Sequence, residues 1–500
     1  MIQKLLIANR GEIALRIIRA CRELGIESIA VYSSIDKEAP HVDAAHRAVP
    51  IGPAPSSESY LSIPNLLEAA RLTGADAVHP GYGFLSESAA FAEACEQAGL
   101  IFVGPSSNLI ARTGSKIEAR RLMHASGVPI IPGETPDDQS DQAIIHALQR
   151  VGLPALVKPS AGGGGKGMRI VRDAREFAEA VQSARREAVA AFGDGTLYVE
   201  RLLERPRHVE VQIFADQQGH VVHLFERECS VQRRYQKVIE ESPSPALTPE
   251  LRRQLTSAAM IAAKAVKYQN AGTIEFLLDT QNSGRDGPRF YFLEMNTRLQ
   301  VEHPVTELVT GVDLVRAQIL VAAGEALPWS EGTLTQRGHA IEARIYAEDP
   351  SHDFLPQAGR LWLYREPRAP GIRIDSGVVE GGDVPIYYDP LLAKIIASGE
   401  TRELARRRLV AALRNYPVLG ILTNVPFLLR ILEHPRFQSG EVDTGFLDAE
   451  AGDLTRAFVT GTPAVVQAAL AAHDESVAVS QPASSGHAWD PWSRLKAWRG

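Results

Sequence analysis

Short apolar segments alternate with amphipathic stretches over the first 113 residues, and this alternation restricts the fold more than any other feature of the chain. KLLIA (4–8) and SIAVY (28–32) predict strands, and IALRIIRACREL between them has its apolar residues at helical spacing. Gly25 is expected to end that helix. The alternation continues through LLEAARLTG, ADAVH, AAFAEACEQAG and LIFVG. Strands that alternate with helices predict an α/β domain with a parallel, doubly wound sheet.

The pattern changes after about residue 131. PALVKPS and KGMRIV flank four consecutive glycines, which predicts a small hairpin-like lid. From about 204 to 300 the segments alternate apolar and polar residues with period two, which predicts antiparallel strands in HVEVQIFAD, HVVHLFERECS, TIEFLLD and RFYFLEMN. Short strands are expected at 339–400, followed by a helix at 403–416.

Composition restricts the class of protein. A chain of 500 residues, 45% hydrophobic and 23% charged, is long enough for several cores. Its formal charge of −7 argues against long-range attraction to nucleic acid or anionic lipid. The three cysteines have no C-x-x-C spacing, which favours a reducing cytoplasm, and no apolar run suits a signal peptide or a membrane span. We find no fixed-period repeat.

The glycine run, Gly162 to Gly165, is a candidate phosphate loop, because glycine lets backbone amides close around an anion. A flexible turn is an equally good interpretation of the run alone, and the P-loop signature is absent. Lys158 before the run and Lys166 after it are cations that suit a triphosphate.

Acidic residues inside apolar strands are more specific. Glu275 lies within TIEFLL, where an unpaired charge is costly to bury. Glu294 and Asn296 lie two residues apart in the next strand and so share a face. If the two strands form a hairpin, these oxygens converge and suit Mg²⁺. The alternative is a pair of edge-strand carboxylates bridged to Arg or Lys.

The segment NTRLQVEHP, which precedes the helix-like TELVTGVDLV, then contributes Arg298, Gln300 and Glu302. A solvated loop is the alternative, but polar residues directly after a metal-binding strand favour a second-substrate pocket, with an arginine for an anion and a carboxylate as base. ECSVQRRYQKVIEE adds the cations Arg233, Arg234 and Lys237.

Together these segments resemble the biotin carboxylase family. The resemblance covers residues 1–448 and runs in order through IANRGEIA, HPGYGFLSE, GGGGKGMR, RHVEVQ, QRRYQK, EMNTRLQVEHPVTE and IEARIYAED. It implies a Rossmann-like preATP-grasp domain (1–113), an ATP-grasp domain (114–334) with a mobile lid (about 131–203) and a C-terminal biotin carboxylase domain (335–448). Residues 449–500 resemble the junction with a connecting domain, so the chain is expected to be a fragment or a stand-alone form of an acyl-CoA carboxylase α-chain.

The resemblance also implies roles for individual residues. Those expected to contact ATP are Lys116, Lys158, Gly162, Gly163, Gly164, Gly165, Lys166, Glu200, Arg201, Leu202, Leu203, His208, Gln232, Tyr235, Glu275 and Glu294. Glu275, Glu294 and Asn296 would hold Mg²⁺ or Mn²⁺. Lys237, Arg298, Gln300 and Val301 would bind bicarbonate, and Glu302 would be the base. Arg344 would face biotin, and Lys237, Arg298 and Glu302 would be catalytic.

Two further features of the sequence bear on the resemblance to the biotin carboxylase family. Tyr235 stands where the family often has His near the nucleotide sugar, which puts that contact in doubt. No Met is followed by Lys, so the biotin attachment motif is absent. The expected partners are therefore a separate biotin carboxyl carrier, a carboxyltransferase subunit and a second copy in a homodimer or larger complex.

Two rival functions stay open. One is another ATP-grasp ligase that makes an acyl or carboxy phosphate, such as half of a carbamoyl phosphate synthase. The other is a nucleotide-binding regulatory or scaffold protein without activity, against which the complete set of Lys237, Glu275, Glu294, Arg298 and Glu302 argues.

Overall fold

The computed structural model describes residues 2–160, 167–284, 287–330 and 332–456, without the side chains of 281–288. The chain divides into two compact units, Met1–Thr455 and Arg456–Gly500, and only Arg456 of the second belongs to the described residues. The glycine run with Lys166, and the tail expected to lead into a connecting domain beyond residue 456, lie outside them. No helix in the described ranges is long and apolar enough to cross a bilayer.

The N-terminal region forms a parallel sheet of order β3-β2-β1-β4-β5. Its strands are β1 (Lys4–Ile7), β2 (Glu27–Tyr32), β3 (Arg47–Pro50), β4 (Ala77–His79) and β5 (Ile101–Phe102). Its helices are α1 (Gly11–Leu24), α2 (Pro40–Ala44), α3 (Ile63–Thr73), α4 (Ala89–Gln97) and α5 (Ser107–Gly114). Gly25 ends α1 with a left-handed φ of 70°. The predicted parallel α/β sheet is confirmed. Edge strand β3 was not predicted, because RAVP is partly exposed and has no apolar run.

A small antiparallel sheet of order β6-β9-β7-β8 follows after α6 (Lys116–Ala125). It contains β6 (Gly133–Glu134), β7 (Ala155–Pro159), β8 (Arg169–Val171) and β9 (Leu197–Arg201), packed against α7 (Asp141–Val151) and α8 (Phe177–Phe192). β7 and β8 pair as a hairpin, as PALVKPS and KGMRIV predicted. That this unit is a moving lid stays a prediction.

The central element is an eight-stranded sheet of order β14-β13-β10-β11-β12-β15-β22-β20, in which every neighbouring pair is antiparallel. Its strands are β10 (Arg207–Ala215), β11 (Val221–Arg233), β12 (Gln236–Ser242), β13 (Asn270–Gly284), β14 (Gly287–Asn296), β15 (His339–Tyr346), β20 (Ile372–Ser376) and β22 (Leu391–Gly399). The four predicted antiparallel strands are among them. Pairing of β12 with β15 makes residues from 207 to 399 one sheet.

The two faces of this sheet differ in chemistry, because side chains alternate along each strand. On one face Val209, Val211 and Ile274 pack against α9 (Pro249–Val266). The other face has charged residues in register, with Glu210 opposite both Arg227 and Glu275, and Arg344 opposite Lys394. This charged face is covered by α10 (His303–Thr310), which contacts β11, β12, β15 and β22. The sequence suggested one helix over TELVTGVDLV, but Gly311 ends α10 with a φ of 73° and α11 (Leu314–Ala322) begins anew.

The C-terminal elements cover the far end of the sheet. The helices are α12 (Arg402–Arg414), α13 (Val425–Glu433), α14 (Pro435–Ser439), α15 (Phe446–Ala449) and α16 (Ala451–Leu454). Short strand pairs join β16 (Glu348–Asp349) to β17 (Leu355–Pro356), β18 (Gly359–Arg360) to β21 (Asp383–Val384), and β19 (Leu363–Tyr364) to β23 (Val418–Leu419). Ile341, Ala343 and Ile345 pack with α12 and α13 in this core.

Substitution of Gly272 in β13 tests how tightly the central sheet is packed. A Cβ there would lie 2.1 Å from the hydroxyl of Tyr268, which is buried and donates to the carbonyl of Ala271. Overpacking costs about 1–3 kcal/mol, so Gly272→Ala is expected to lower the free energy of unfolding by that amount in urea titration. Gly114→Ala, with no atom within 4 Å of the new Cβ, is the control and should unfold like the parent. Equal stability of the two variants would contradict this packing.

Candidate active site

The β13–β14 hairpin brings the predicted acidic residues together. Glu275 and Glu294 are cross-strand partners, and the side-chain amide of Asn296 donates to Glu275 Oε1 at 2.8 Å. Glu275 is 4% exposed. Burial and the nearby Glu275 carboxylate raise the pKa of Glu294. Two carboxylates and an amide at one corner are a hard-oxygen donor set, and an added cation would relieve their repulsion, so these residues fit a divalent metal ion.

Lys237 on β12 is the hub of the site. Its ammonium donates to Glu210 Oε2 at 2.5 Å, Glu275 Oε1 at 3.0 Å and Glu302 Oε1 at 2.5 Å, and to the side-chain oxygen of Gln300 at 3.0 Å. Burial alone would lower the pKa of Lys237, but the three carboxylates raise it well above its ordinary value. The ammonium therefore stays charged and holds residues from β10, β13 and the segment between β14 and α10 around one point.

Glu302 is 1% exposed at the N-terminal end of α10. Besides Lys237 it accepts from Arg344 Nη2 at 3.0 Å. Burial opposes ionisation, but Lys237 and Arg344 hold the pKa of Glu302 far below its usual range. The carboxylate is thus ionised, as a base must be, but two cations make it a weak one. It gains proton affinity only when one of them turns to another anion.

Arg298 lies beside this cluster and is held from the N-terminal region. Its Nε donates to Glu87 Oε2 at 2.9 Å, and Glu87 precedes α4. Val301 contributes its carbonyl, which accepts from the buried ammonium of Lys394 at 2.8 Å. Gln300 also donates from its amide to Glu275 Oε1 at 3.1 Å. These contacts fix the segment between β14 and α10.

The residues expected at the nucleotide form a second group. Lys158 on β7 donates to Glu200 Oε2 at 2.9 Å, and Arg120 also pairs with Glu200. Lys116 lies 3.9 Å from Glu294, and burial lowers its pKa. A phosphate group would offer both lysines a further anion.

The remaining nucleotide candidates lie on either side of this group. His208 Nε2 lies within hydrogen-bond distance of Glu275 Oε2, at 2.9 Å, and Gln232 Nε2 lies 3.3 Å from His208 Nδ1. The backbone amides of Arg201 and Leu202 donate to Pro132 and Pro154 at 2.8 and 2.9 Å, and Leu203 is buried with Ile131 and Tyr291. Tyr235 is 56% exposed at the β11–β12 turn with a φ of 67°, so its contact with a nucleotide stays a prediction.

Several residues of the site were not identified from the sequence. Five of them contact predicted residues: Glu87 contacts Arg298, Arg120 contacts Glu200, Glu210 contacts Lys237, Glu240 contacts Arg344 and Lys394 contacts Val301. The sixth, Arg227, contacts the carboxylate of Glu210. A charge within an apolar strand, the signal that found Glu275, also marks Glu210 in HVEVQIF and Lys394 in LLAKIIA. Glu87 and Arg120 carry no such signal, because they lie in a loop and on a helix.

Comparisons with known proteins agree across the chain. Residues 1–110 match the biotin carboxylase N-terminal domain, 115–330 the ATP-binding domain of the carbamoyl-phosphate synthase L chain, and 342–449 the biotin carboxylase C-terminal domain. Biotin carboxylase 1 of Bacillus subtilis is 50% identical over 90% of this chain and 98% of its own length. The mitochondrial methylcrotonoyl-CoA carboxylase subunit alpha of Mus musculus is 50% identical over 94% of this chain, which spans only 65% of that relative.

Solved structures are similar over the same range. A Campylobacter jejuni biotin carboxylase in complex with β,γ-ATP has a TM-score of 0.86 at 43% identity, covering 90% of this chain and 99% of its own. The biotin carboxylase domain dimer of Hydrogenobacter thermophilus 2-oxoglutarate carboxylase, with MgADP and bicarbonate, also has a TM-score of 0.86, at 42% identity over 91% of this chain and 99% of its own.

Removing the Lys237 ammonium should leave the repulsion between the carboxylates of Glu210, Glu275 and Glu302 without its common cation. In Lys237→Met the three carboxylates lose a common cation, so their pKa values in the folded state rise from those in the wild type. The variant therefore loses stability relative to the wild type as pH rises through the carboxylate range, where these groups ionise without Lys237. We expect a loss of about 3 kcal/mol or more in urea unfolding, larger at pH 7 than at pH 4. Lys264→Met, at an exposed position of α9, is the control. A loss independent of pH would contradict the charge balance.

Proposed function

Because the chain belongs to the biotin carboxylase family, we propose that it uses MgATP and bicarbonate to carboxylate biotin that is carried by a separate domain or protein. The observation that carries the proposal is the Lys237 ammonium, which contacts Glu275, Gln300 and Glu302 at once. A metal-binding carboxylate, an anion-binding amide and a candidate base thus meet at one cation, as a reaction between a nucleotide phosphate and bicarbonate requires.

In this proposal Lys116 and Lys158 bind the phosphates of ATP, and Glu275, Glu294 and Asn296 hold the magnesium. When bound, the metal neutralises charge on the transferred phosphoryl group. His208, Gln232 and the segment from Glu200 to Leu203 surround the rest of the nucleotide. The glycines 162–165 and Lys166, proposed to close over the phosphates, lie outside the described residues.

Bicarbonate would lie between Lys237, Arg298, Gln300 and the backbone of Val301. As the anion enters, Lys237 can turn from Glu302 toward it, which raises the proton affinity of Glu302 at the moment a base is needed. Glu302 takes the bicarbonate proton, and the resulting oxyanion attacks the γ-phosphorus while the bond to ADP breaks. The carboxyphosphate so formed breaks down to CO₂ and phosphate beside the biotin ureido nitrogen. The phosphate takes the proton of that nitrogen, which then bonds to CO₂ to give carboxybiotin. Arg298 and Arg344 offer N–H donors to the charge that develops on the ureido group.

The rival carbamoyl phosphate reaction is less well supported, although the matched ATP-binding domain bears that name. Both flanking regions match biotin carboxylase domains. The decisive assay is bicarbonate-dependent ATP cleavage with and without free biotin. Acceleration by biotin supports the proposal, whereas ATP cleavage that responds to an amine donor but not to biotin would favour the rival. Glu294→Gln, which removes one anionic metal ligand, should lose ATP cleavage in both conditions, and Glu118→Gln on the exposed face of α6 should not.

The partners follow from the chemistry as further proposals. Within these 500 residues no Met is followed by Lys, so we propose a separate biotin carrier, a carboxyltransferase that consumes carboxybiotin, and assembly as a homodimer or larger complex. Cys21, Cys95 and Cys229 are all buried free thiols, which supports a reducing compartment such as the cytoplasm.

Arg298→Ala should separate the two half-reactions. The guanidinium is aimed at charge that develops on biotin, and removing such a donor costs about a hundredfold or more in rate. Carboxylation of free biotin should fall by that factor, while biotin-independent ATP cleavage falls less. Arg121→Ala, at an exposed position of α6, is the control. An equal loss in both assays would mean that Arg298 serves only the bicarbonate step.

A further inference from the structure

Two buried glutamates outside the proposed machinery face each other across the central sheet. Glu240 on β12 and Glu342 on β15 are direct cross-strand partners, and both side chains are 0% exposed. Cross-strand partners lie on one face of a sheet with their Cβ atoms close together. The face is the one that also has Arg344, two residues beyond Glu342.

Of the four carboxyl oxygens of these two glutamates, one accepts a hydrogen bond from a described residue. Glu240 Oε1 accepts from Arg344 Nε at 2.6 Å. Among the described residues no donor reaches Glu240 Oε2 or either carboxyl oxygen of Glu342. Three buried acceptors without donors are costly, since each loses its hydration without replacement.

One proton shared between the two carboxyl groups would pair two of these three oxygens. Two neighbouring carboxylates in a buried site cannot both ionise readily, and the shared proton goes to the member with less cationic support. Arg344 donates a hydrogen bond to Glu240. Lys394 and Arg344 act on Glu342 only through their charge, without a hydrogen bond. Burial raises the pKa of Glu240 to about 7 and raises the pKa of Glu342 well above its usual value. The negative charge of Glu302 also raises both pKa values, whereas Lys237 lowers the pKa of Glu240.

We propose that Glu342 is a neutral carboxylic acid whose hydroxyl donates to Glu240 Oε2, and that the ionised Glu240 is a positioning residue that holds Arg344 beside Glu302 for the biotin ureido group. The role of Arg344 rests on the proposed function above. The arrangement has a consequence for catalysis. When Glu302 takes up the bicarbonate proton, its attraction for Arg344 weakens, but Glu240 remains an anion and keeps the guanidinium in place.

The protonation state can be measured without any activity. Infrared difference spectra of the wild type against Glu342→Gln at neutral pH should contain a carbonyl band of a protonated carboxyl group, shifted in D₂O, that the variant lacks. The amide of Gln is also neutral and retains a donor for Glu240. If no such band is lost in Glu342→Gln, the neutral acid is overturned.

The positioning role needs a kinetic comparison. Gln at position 240 can still accept from Arg344 but no longer carries a charge, and this weakening of a charge-assisted hydrogen bond should raise the biotin KM of Glu240→Gln by about tenfold or more, with a much smaller change in biotin-independent ATP cleavage. Glu342→Gln should shift the biotin KM far less. Glu240→Asp keeps the charge, should recover part of the loss, and replaces Glu240→Gln in the test if the latter does not fold. Glu68→Gln, on the exposed surface of α3, controls for any carboxyl substitution.

Three results would overturn the positioning role. They are a biotin KM in Glu240→Gln no higher than in Glu342→Gln, no recovery in Glu240→Asp, and an equal loss in the two reactions. Arg344→Gln separates this inference from the function beneath it. If that variant carboxylates biotin with an unchanged KM, the biotin role of Arg344 fails and the positioning role of Glu240 fails with it, while the infrared band still decides the neutral acid.

Discussion

The charged face of the central sheet depends on buried cations that pair with several carboxylates at once. Lys237 is the clearest instance, since Glu210, Glu275 and Glu302 lie around a single ammonium. Arg227, fully buried, joins Glu210 to Gln212, Thr273 and Thr306. Such a network does not favour stability over an apolar core of equal volume. In the proposed function this destabilising arrangement lies where cations and carboxylates exchange partners with anionic substrates.

Helix α10 connects this network to the rest of the molecule. Glu302 at its beginning contacts Lys237 and Arg344, and Glu307 one turn later pairs with Arg16 of α1 and Arg373 of β20. The helix therefore lies between the cluster around Lys237 and the contact of the N-terminal region with the far end of the sheet. A shift of α10 would therefore change the contacts of Glu302 and those of Glu307 together.

Periodicity predicted the N-terminal α/β sheet, the β7–β8 hairpin and four strands of the central sheet, and α1 was predicted with its terminal Gly25. It was not used to predict β9, β12 or the helices α6 to α9. The exposed β3 was missed for lack of that signal, and the break at Gly311 was missed because the apolar spacing continues through it. At the site, Glu275 and Glu294 could be paired from a charge-in-strand argument and a hairpin assumption, which the register confirms. Glu87 and Glu240 could not, because their partners Arg298 and Arg344 lie 211 and 104 residues away along the chain.

Pairing of β12 with β15 has a consequence for how the chain acquires this shape. Nearly a hundred residues, including α9 to α11, separate the two strands, so during synthesis β12 leaves the ribosome long before its neighbour exists. Until β15 arrives, its backbone donors and acceptors form an open edge that can recruit other chains. Contacts of such long sequence separation also form slowly. The same pairing that places Arg344 beside Glu302 therefore leaves the nascent protein with an exposed strand edge, the kind of site at which aggregation begins, until the second half of the sheet is complete.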